Sequence, residues 1–86
     1  MKIRLFAAAR DAFGWAEATV VPQERDTLLT LLQAYADDAL DPAEARRVLA
    51  RCTLLANGSR VPDPATAAAH SLGDVLVDVL PPLSGG

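Results

Sequence analysis

The chain holds one histidine and one cysteine among 86 residues, and that scarcity excludes several kinds of chemistry. A lone cysteine closes no internal disulfide. His70 and Cys52, each the sole residue of its type, leave no ligand set for zinc and no repeated candidate for a histidine-supported triad. No metal and no bound cofactor are expected. Aromatic residues are limited to Phe6, Phe13, Trp15 and Tyr35, so the core must be mostly aliphatic. The formal charge of −3 comes without a basic stripe interleaved with aromatics, which removes the electrostatic footprint of nucleic-acid binding. No DNA or RNA partner is expected. A glycine-rich phosphate loop is absent. No apolar run approaches transmembrane length, and the opening residues lack the order of a signal peptide. A soluble, cytoplasmic protein with no membrane partner is the expectation.

Eighty-six residues support one domain with a modest core, burying somewhat more than ~60% of the surface the unfolded chain exposes. Met1 to Ala7 alternates with Ile3 and Leu5 on one side, the period of a strand with one buried face. Phe13-Gly14-Trp15 reads as a turn, and Glu17 to Val21, ending at Pro22, reads as the second strand of a hairpin. Asp26 or Thr27 is placed to cap a helix whose Leu28, Leu31, Leu32 and Tyr35 fall at i, i+3, i+4 and i+7. Asp41-Pro42-Ala43-Glu44 predicts a second helix start, with Asp41 as N-cap, Pro42 at the first helical position and Glu44 completing a capping box. Ala45, Val48, Leu49 and Cys52 would share its buried face. Thr53 to Ala56, Asn57-Gly58 and Arg60-Val61 predict a second hairpin. Pro64 to Ser71 has no strand period and reads as a helical turn or loop. A last strand alternates Val75, Val77 and Val79 with Leu76, Asp78 and Leu80.

The expected fold is therefore α+β: a β-grasp (ubiquitin-like) arrangement in which a mixed sheet of four to five strands packs on one main helix, with the last strand central beside the first. If Ile3, Leu5, Val75, Val77 and Val79 face the helix, then Phe6, Leu76 and Leu80 lie on the open face of the sheet. Exposed apolar patches commonly mark partner surfaces, while isolated exposed leucines are ordinary, and this pattern by itself fits both readings. Residues 1–80 are assigned to the folded domain and 81–86 to an extended tail. Cys52 reads as a small buried residue and His70 as a solvated one. Asp37, Asp38 and Asp41 read as a solvated turn that caps the following helix, and Arg46, Arg47 and Arg51 as a solvated helix face.

The sequence closes Leu80-Pro81-Pro82-Leu83-Ser84-Gly85-Gly86. Pro81 and Pro82 lack N–H donors and favour a polyproline stalk that ends strand pairing. Gly85 and Gly86 carry no Cβ and can lie extended in a channel too narrow for other side chains. From Pro81 to Gly86 the reach is at most about 20 Å. With no other reactive constellation in the chain, the carboxylate of Gly86 is the candidate reactive group. A carboxylate is a poor acyl donor until activated, for instance as an acyl-adenylate formed from ATP by another protein. A sulfur nucleophile would then yield a C-terminal thiocarboxylate, and a lysine amine would yield an isopeptide. An interaction module with an idle tail is the third alternative.

These features resemble the MoaD/ThiS group of ubiquitin-like sulfur carriers, and most closely the small subunit of molybdopterin synthase. The resemblance runs through Leu5-Phe6-Ala7 with Arg10, the helix around Leu31-Leu32, Leu55-Ala56-Asn57-Gly58, Gly73-Asp74 and the Pro81-to-Gly86 tail. It implies that Gly86 is adenylated by a ubiquitin-activating-type adenylyltransferase, which uses ATP, and converted to a thiocarboxylate by a sulfur donor. It further implies insertion of the tail, Pro81 to Gly85, into the large subunit of molybdopterin synthase. There sulfur passes to cyclic pyranopterin monophosphate in molybdenum cofactor biosynthesis. By the same resemblance Phe6, Arg10 and Leu80 contact the partners. The Phe-Ala-x-x-Arg opening and the length favour this member over the shorter thiamine carrier, with other sulfur acceptors as alternatives.

Overall fold

The computed structural model describes residues 1–82. Five strands form one mixed sheet in the order β2-β1-β5-β3-β4: β1 Lys2–Leu5, β2 Glu17–Thr19, β3 Thr53–Ala56, β4 Ser59–Arg60 and β5 Leu76–Leu80. β1 and β5 run parallel at the centre, with Lys2 opposite Leu76 and Leu5 opposite Val79. The other ladders are antiparallel. Three helices, α1 Ala7–Phe13, α2 Leu28–Asp37 and α3 Pro42–Leu49, contribute to a single core. Alternation decides which strand residues join them: Ile3, Leu5, Leu54, Val77 and Val79 are buried with Leu28, Leu31, Leu32, Ala45 and Leu49.

α2 forms as its apolar period requires, and its start is fixed by Thr27. The Thr27 hydroxyl accepts from the Thr30 amide at 3.1 Å while the Thr30 hydroxyl accepts from the Thr27 amide at 2.9 Å. Two of the amides that a helix start leaves unpaired are thereby satisfied. At α3, Asp41 accepts from the Glu44 amide at 3.2 Å. The reciprocal half of the expected box is not formed, because Glu44 pairs with Arg47. The segment after β4 is held by backbone bonds to the start of α2, Leu28 N–H to Ala67 O at 2.8 Å and Ala69 N–H to Asp26 O at 2.9 Å. It ends in a 3-10 turn, His70–Leu72.

Two expectations need correction. The opening strand stops at Leu5, and β1 and β2 are not joined by a tight turn: α1 lies between them, with Ala9 and Phe13 buried and Gly14 ending it at φ 88°. The chain leaves the sheet through Ala7, whose φ of 49° costs a non-glycine residue about 1 kcal/mol. Cys52 is half-buried rather than fully inside the core. The second hairpin has the turn its sequence predicts, with φ 49° at Asn57 and 84° at Gly58, both positive as a type I′ turn requires.

Candidate partner face and the root of the tail

The sheet has one covered and one open face. On β1 and β5 the open face carries Lys2, Arg4, Leu76, Asp78 and Leu80, the residues that alternate with the buried set. Register adds Glu17 and Thr19 from β2, Thr53 and Leu55 from β3, and Arg60 opposite Leu55. Phe6 follows Arg4 by two residues in extended conformation, φ −122° and ψ 148°, and so continues the same face. It is 37% exposed. The expected open-face set of Phe6, Leu76 and Leu80 is thus where the alternation places it, extended by Leu55, which sits one strand away.

Phe6 and Leu80 leave the sheet at the same end. Leu5 is opposite Val79, and the Phe6 amide donates to the Val79 carbonyl at 3.3 Å, which sets Phe6 beside Leu80 in register. Both strands end there: β1 gives way to α1 at Ala7, and β5 stops at Leu80, just before Pro81. Pro81 is half-buried and Pro82 exposed. α1 carries Arg10 one turn beyond Phe6, its amide donating to the Phe6 carbonyl at 3.4 Å. Arg10 is exposed and 4.0 Å from Asp11. Of the expected partner residues, Phe6 and Leu80 therefore stand side by side at the end of β5, and Arg10 lies one helical turn beyond Phe6 on α1. Leu83, Ser84, Gly85 and Gly86, which carry the rest of the tail assignment, lie outside the described residues.

Charge on this face is organised in pairs that the sequence alone did not reveal. Arg4 faces Asp78 across the parallel ladder and donates to both carboxylate oxygens, Nε to Oδ1 at 2.8 Å and Nη2 to Oδ2 at 3.0 Å. The hydrogen bond to Asp78 raises the Arg4 pKa still further. Its guanidinium carbon also lies 5.5 Å from the centre of the Phe6 ring, within cation–π range. Lys2 pairs with Glu17 at 2.9 Å, and that hydrogen bond lowers the Glu17 pKa. The only advance signal for these contacts was the common parity of the four residues on their strands.

On the covered side a cleft of about 330 Å³ is lined by Leu29, Gln33, Arg46, Leu49, Cys52 and Leu54, among others. The Cys52 thiol donates to the Val48 carbonyl at 3.2 Å, and burial pushes its pKa up to about 11. Such a thiol is a poor nucleophile near neutral pH. Arg46 is engaged with Asp37 through two hydrogen bonds of 2.7 and 2.8 Å. Among the described residues no three His, Cys, Asp or Glu side chains converge as a metal site. No helix among them is long and apolar enough to cross a membrane.

SAMP1 from Haloferax volcanii, a solved structure, superimposes on the chain with a TM-score of 0.61 at 25% sequence identity, covering 99% of this chain and 97% of that one. The chain has the ubiquitin-like β-grasp fold. No protein-family model matches the sequence, and no curated protein does. The coverage shows that the similarity embraces the whole chain, and that the α1 and α3 segments lie within the superimposed span.

Proposed function

We propose that this protein is a sulfur carrier of the MoaD/ThiS type and serves as the small subunit of molybdopterin synthase. The observation that supports this most is where β5 ends, at Leu80 before Pro81. Pro81 continues a central strand, β5, and leaves the sheet beside Phe6, at the edge of an open face that combines leucines with an arginine. A partner that docks on this face would receive Gly85 and Gly86 in its own active site. Gly86 would be the reacting residue, Gly85 would give clearance, and Pro81 to Ser84 would form the inserted stalk. Phe6, Arg10 and Leu80 would contact the partner.

The chemistry would require two partner-supplied steps. A ubiquitin-activating-type adenylyltransferase joins the Gly86 carboxylate to the α-phosphorus of ATP, and pyrophosphate leaves. Hydrosulfide then attacks the acyl carbon, a C–S bond forms, the C–O bond to AMP breaks, and AMP departs with the electron pair. The resulting thiocarboxylate would donate its sulfur to cyclic pyranopterin monophosphate in the large subunit. A thiamine or other sulfur-carrier role uses the same steps with a different acceptor. Conjugation of Gly86 to lysine amines is a second reading, favoured by the likeness to a ubiquitin-like protein. In that case the amine replaces hydrosulfide as the nucleophile.

The test is the intact mass of the full chain after incubation with ATP, the adenylyltransferase of the same source and a hydrosulfide donor. The expected gain equals replacement of one oxygen by sulfur and disappears when Gly86 is deleted or one residue is appended after it. An unchanged mass beside a demonstrably active adenylyltransferase would overturn the proposal. Adducts heavier by a whole target protein would favour conjugation, and the biosynthetic deficiency that the gene relieves would separate the sulfur acceptors.

A further inference from the structure

We infer that Arg4 and Asp78 are positioning residues whose ion pair holds the Phe6 ring in place at the root of the tail, presenting it as a preset anchor for the adenylyltransferase. The partner half of this inference rests on the carrier reading above. The holding half concerns the free chain and stands on geometry alone.

Arg4 and Phe6 are two apart on one strand face, so they are neighbours by the period of the strand. An arginine in that position ordinarily extends its head into water. Here the head is held flat by two bonds of 2.8 and 3.0 Å to Asp78, a bidentate match that only a planar guanidinium makes. Two of its nitrogens are thereby committed, and the plane of the group is set. The cation then lies 5.5 Å from the Phe6 ring centre, where its attraction to the ring opposes rotation of Phe6.

The surroundings suit an anchor better than a simple cross-strand brace. Asp78 is only 15% exposed at its side chain and sits between Leu76 and Leu80 on its own strand face, with Leu55 opposite it on β3. The pair therefore occupies the middle of the apolar patch, whereas the Lys2–Glu17 pair lies toward β2. Phe6 is the last residue before the turn at Ala7, whose φ of 49° carries the backbone off the sheet. A ring fixed before docking spares the complex the loss of that freedom.

The test uses the full chain and two readouts. In the free protein, NMR should show the Arg4 side-chain protons shifted upfield by the Phe6 ring, with a direct cross-relaxation signal between them. Asp78→Asn should abolish both while the remaining spectrum stays native-like. In binding to the adenylyltransferase of the same source, Asp78→Asn should weaken affinity about three- to fivefold. Phe6→Leu combined with Asp78→Asn should bind no more weakly than Phe6→Leu alone. Arg4→Lys, which keeps the charge but loses the fork, should behave as Asp78→Asn does and serves if the latter fails to fold. An Arg4 ring shift unchanged in Asp78→Asn, wild-type affinity in Arg4→Lys, or affinity losses that add in the double variant would overturn the inference. If the wild-type chain fails to bind, the carrier reading falls, and the ring shift still decides whether Arg4 and Asp78 hold Phe6.

Discussion

Asn57 and Leu76 exchange two hydrogen bonds: the Asn57 amide donates to the Leu76 carbonyl at 2.8 Å, and the Leu76 amide donates to Asn57 Oδ1 at 2.9 Å. The β3–β4 turn is thus tied to the first residue of the strand that leads into the tail. Asparagine does two things there, since it tolerates the φ of 49° and supplies the acceptor. Replacement by alanine loses both and should destabilise the fold by about 1–2 kcal/mol, whereas glycine keeps the turn and should cost about half as much. Urea unfolding of Asn57→Ala and Asn57→Gly measures the split. Equal losses would mean that the turn conformation contributes nothing.

Phe6→Asp separates docking from folding. With 37% of its surface exposed, Phe6 contributes little to the core, so the melting temperature should stay within a few degrees of wild type. Affinity for the adenylyltransferase should fall by at least about tenfold, the usual loss for an aromatic anchor at an interface. Calorimetric melting and titration on the same preparation check both. A loss of stability that matches the loss of affinity would return Phe6 to the core.

Cys52 should resist modification in the native state. Burial raises its pKa to about 11, so at pH 8 the thiolate population is far below that of an unfolded thiol near 8.5. Alkylation by iodoacetamide should be at least about tenfold slower than in urea. Because the folded value is the higher one, the associated stabilisation is complete below the unfolded pKa and fades as pH climbs toward 11. Equal alkylation rates with and without urea would contradict this placement.

The acid limb of stability should carry the signature of Asp37. Its two hydrogen bonds from Arg46, 2.7 and 2.8 Å, hold its carboxyl below the ordinary carboxylate range. A depressed folded pKa stabilises the fold above the unfolded value, about 3.9, and that contribution disappears as pH falls through the folded one. Asp37→Asn should therefore lower the urea midpoint at pH 7, with the gap to wild type closing as pH falls through the depressed pKa of the folded carboxyl. Glu17, lowered by Lys2, follows the same sign. A gap that persists at low pH would assign the loss to something other than ionisation.

Much of this molecule is determined by local sequence. Leu28, Leu31, Leu32 and Tyr35 at helical spacing after Thr27 specify α2, because a helix forms where its apolar stripe can be buried and its first amides capped. Asp41-Pro42 starts α3 and Asn57-Gly58 turns β3 into β4 for equally local reasons. The alternation of Ile3 and Leu5, and of Val77 and Val79, settles which strand face is covered, and so puts Phe6, Leu76 and Leu80 on the other. α1 escaped this reading: Ala7, Ala8, Ala9 and Ala12 have too little apolar surface to mark a face, and the turn into it uses a positive φ at an alanine. Only the tertiary structure decided the charged half of the open face. Arg4 and Asp78 are 74 residues apart in the chain and meet because β1 and β5 pair in parallel with that register, and the Arg4 guanidinium reaches the Phe6 ring within that arrangement. Periodicity assigns a residue to a face; the pairing of distant strands determines which side chain it meets there.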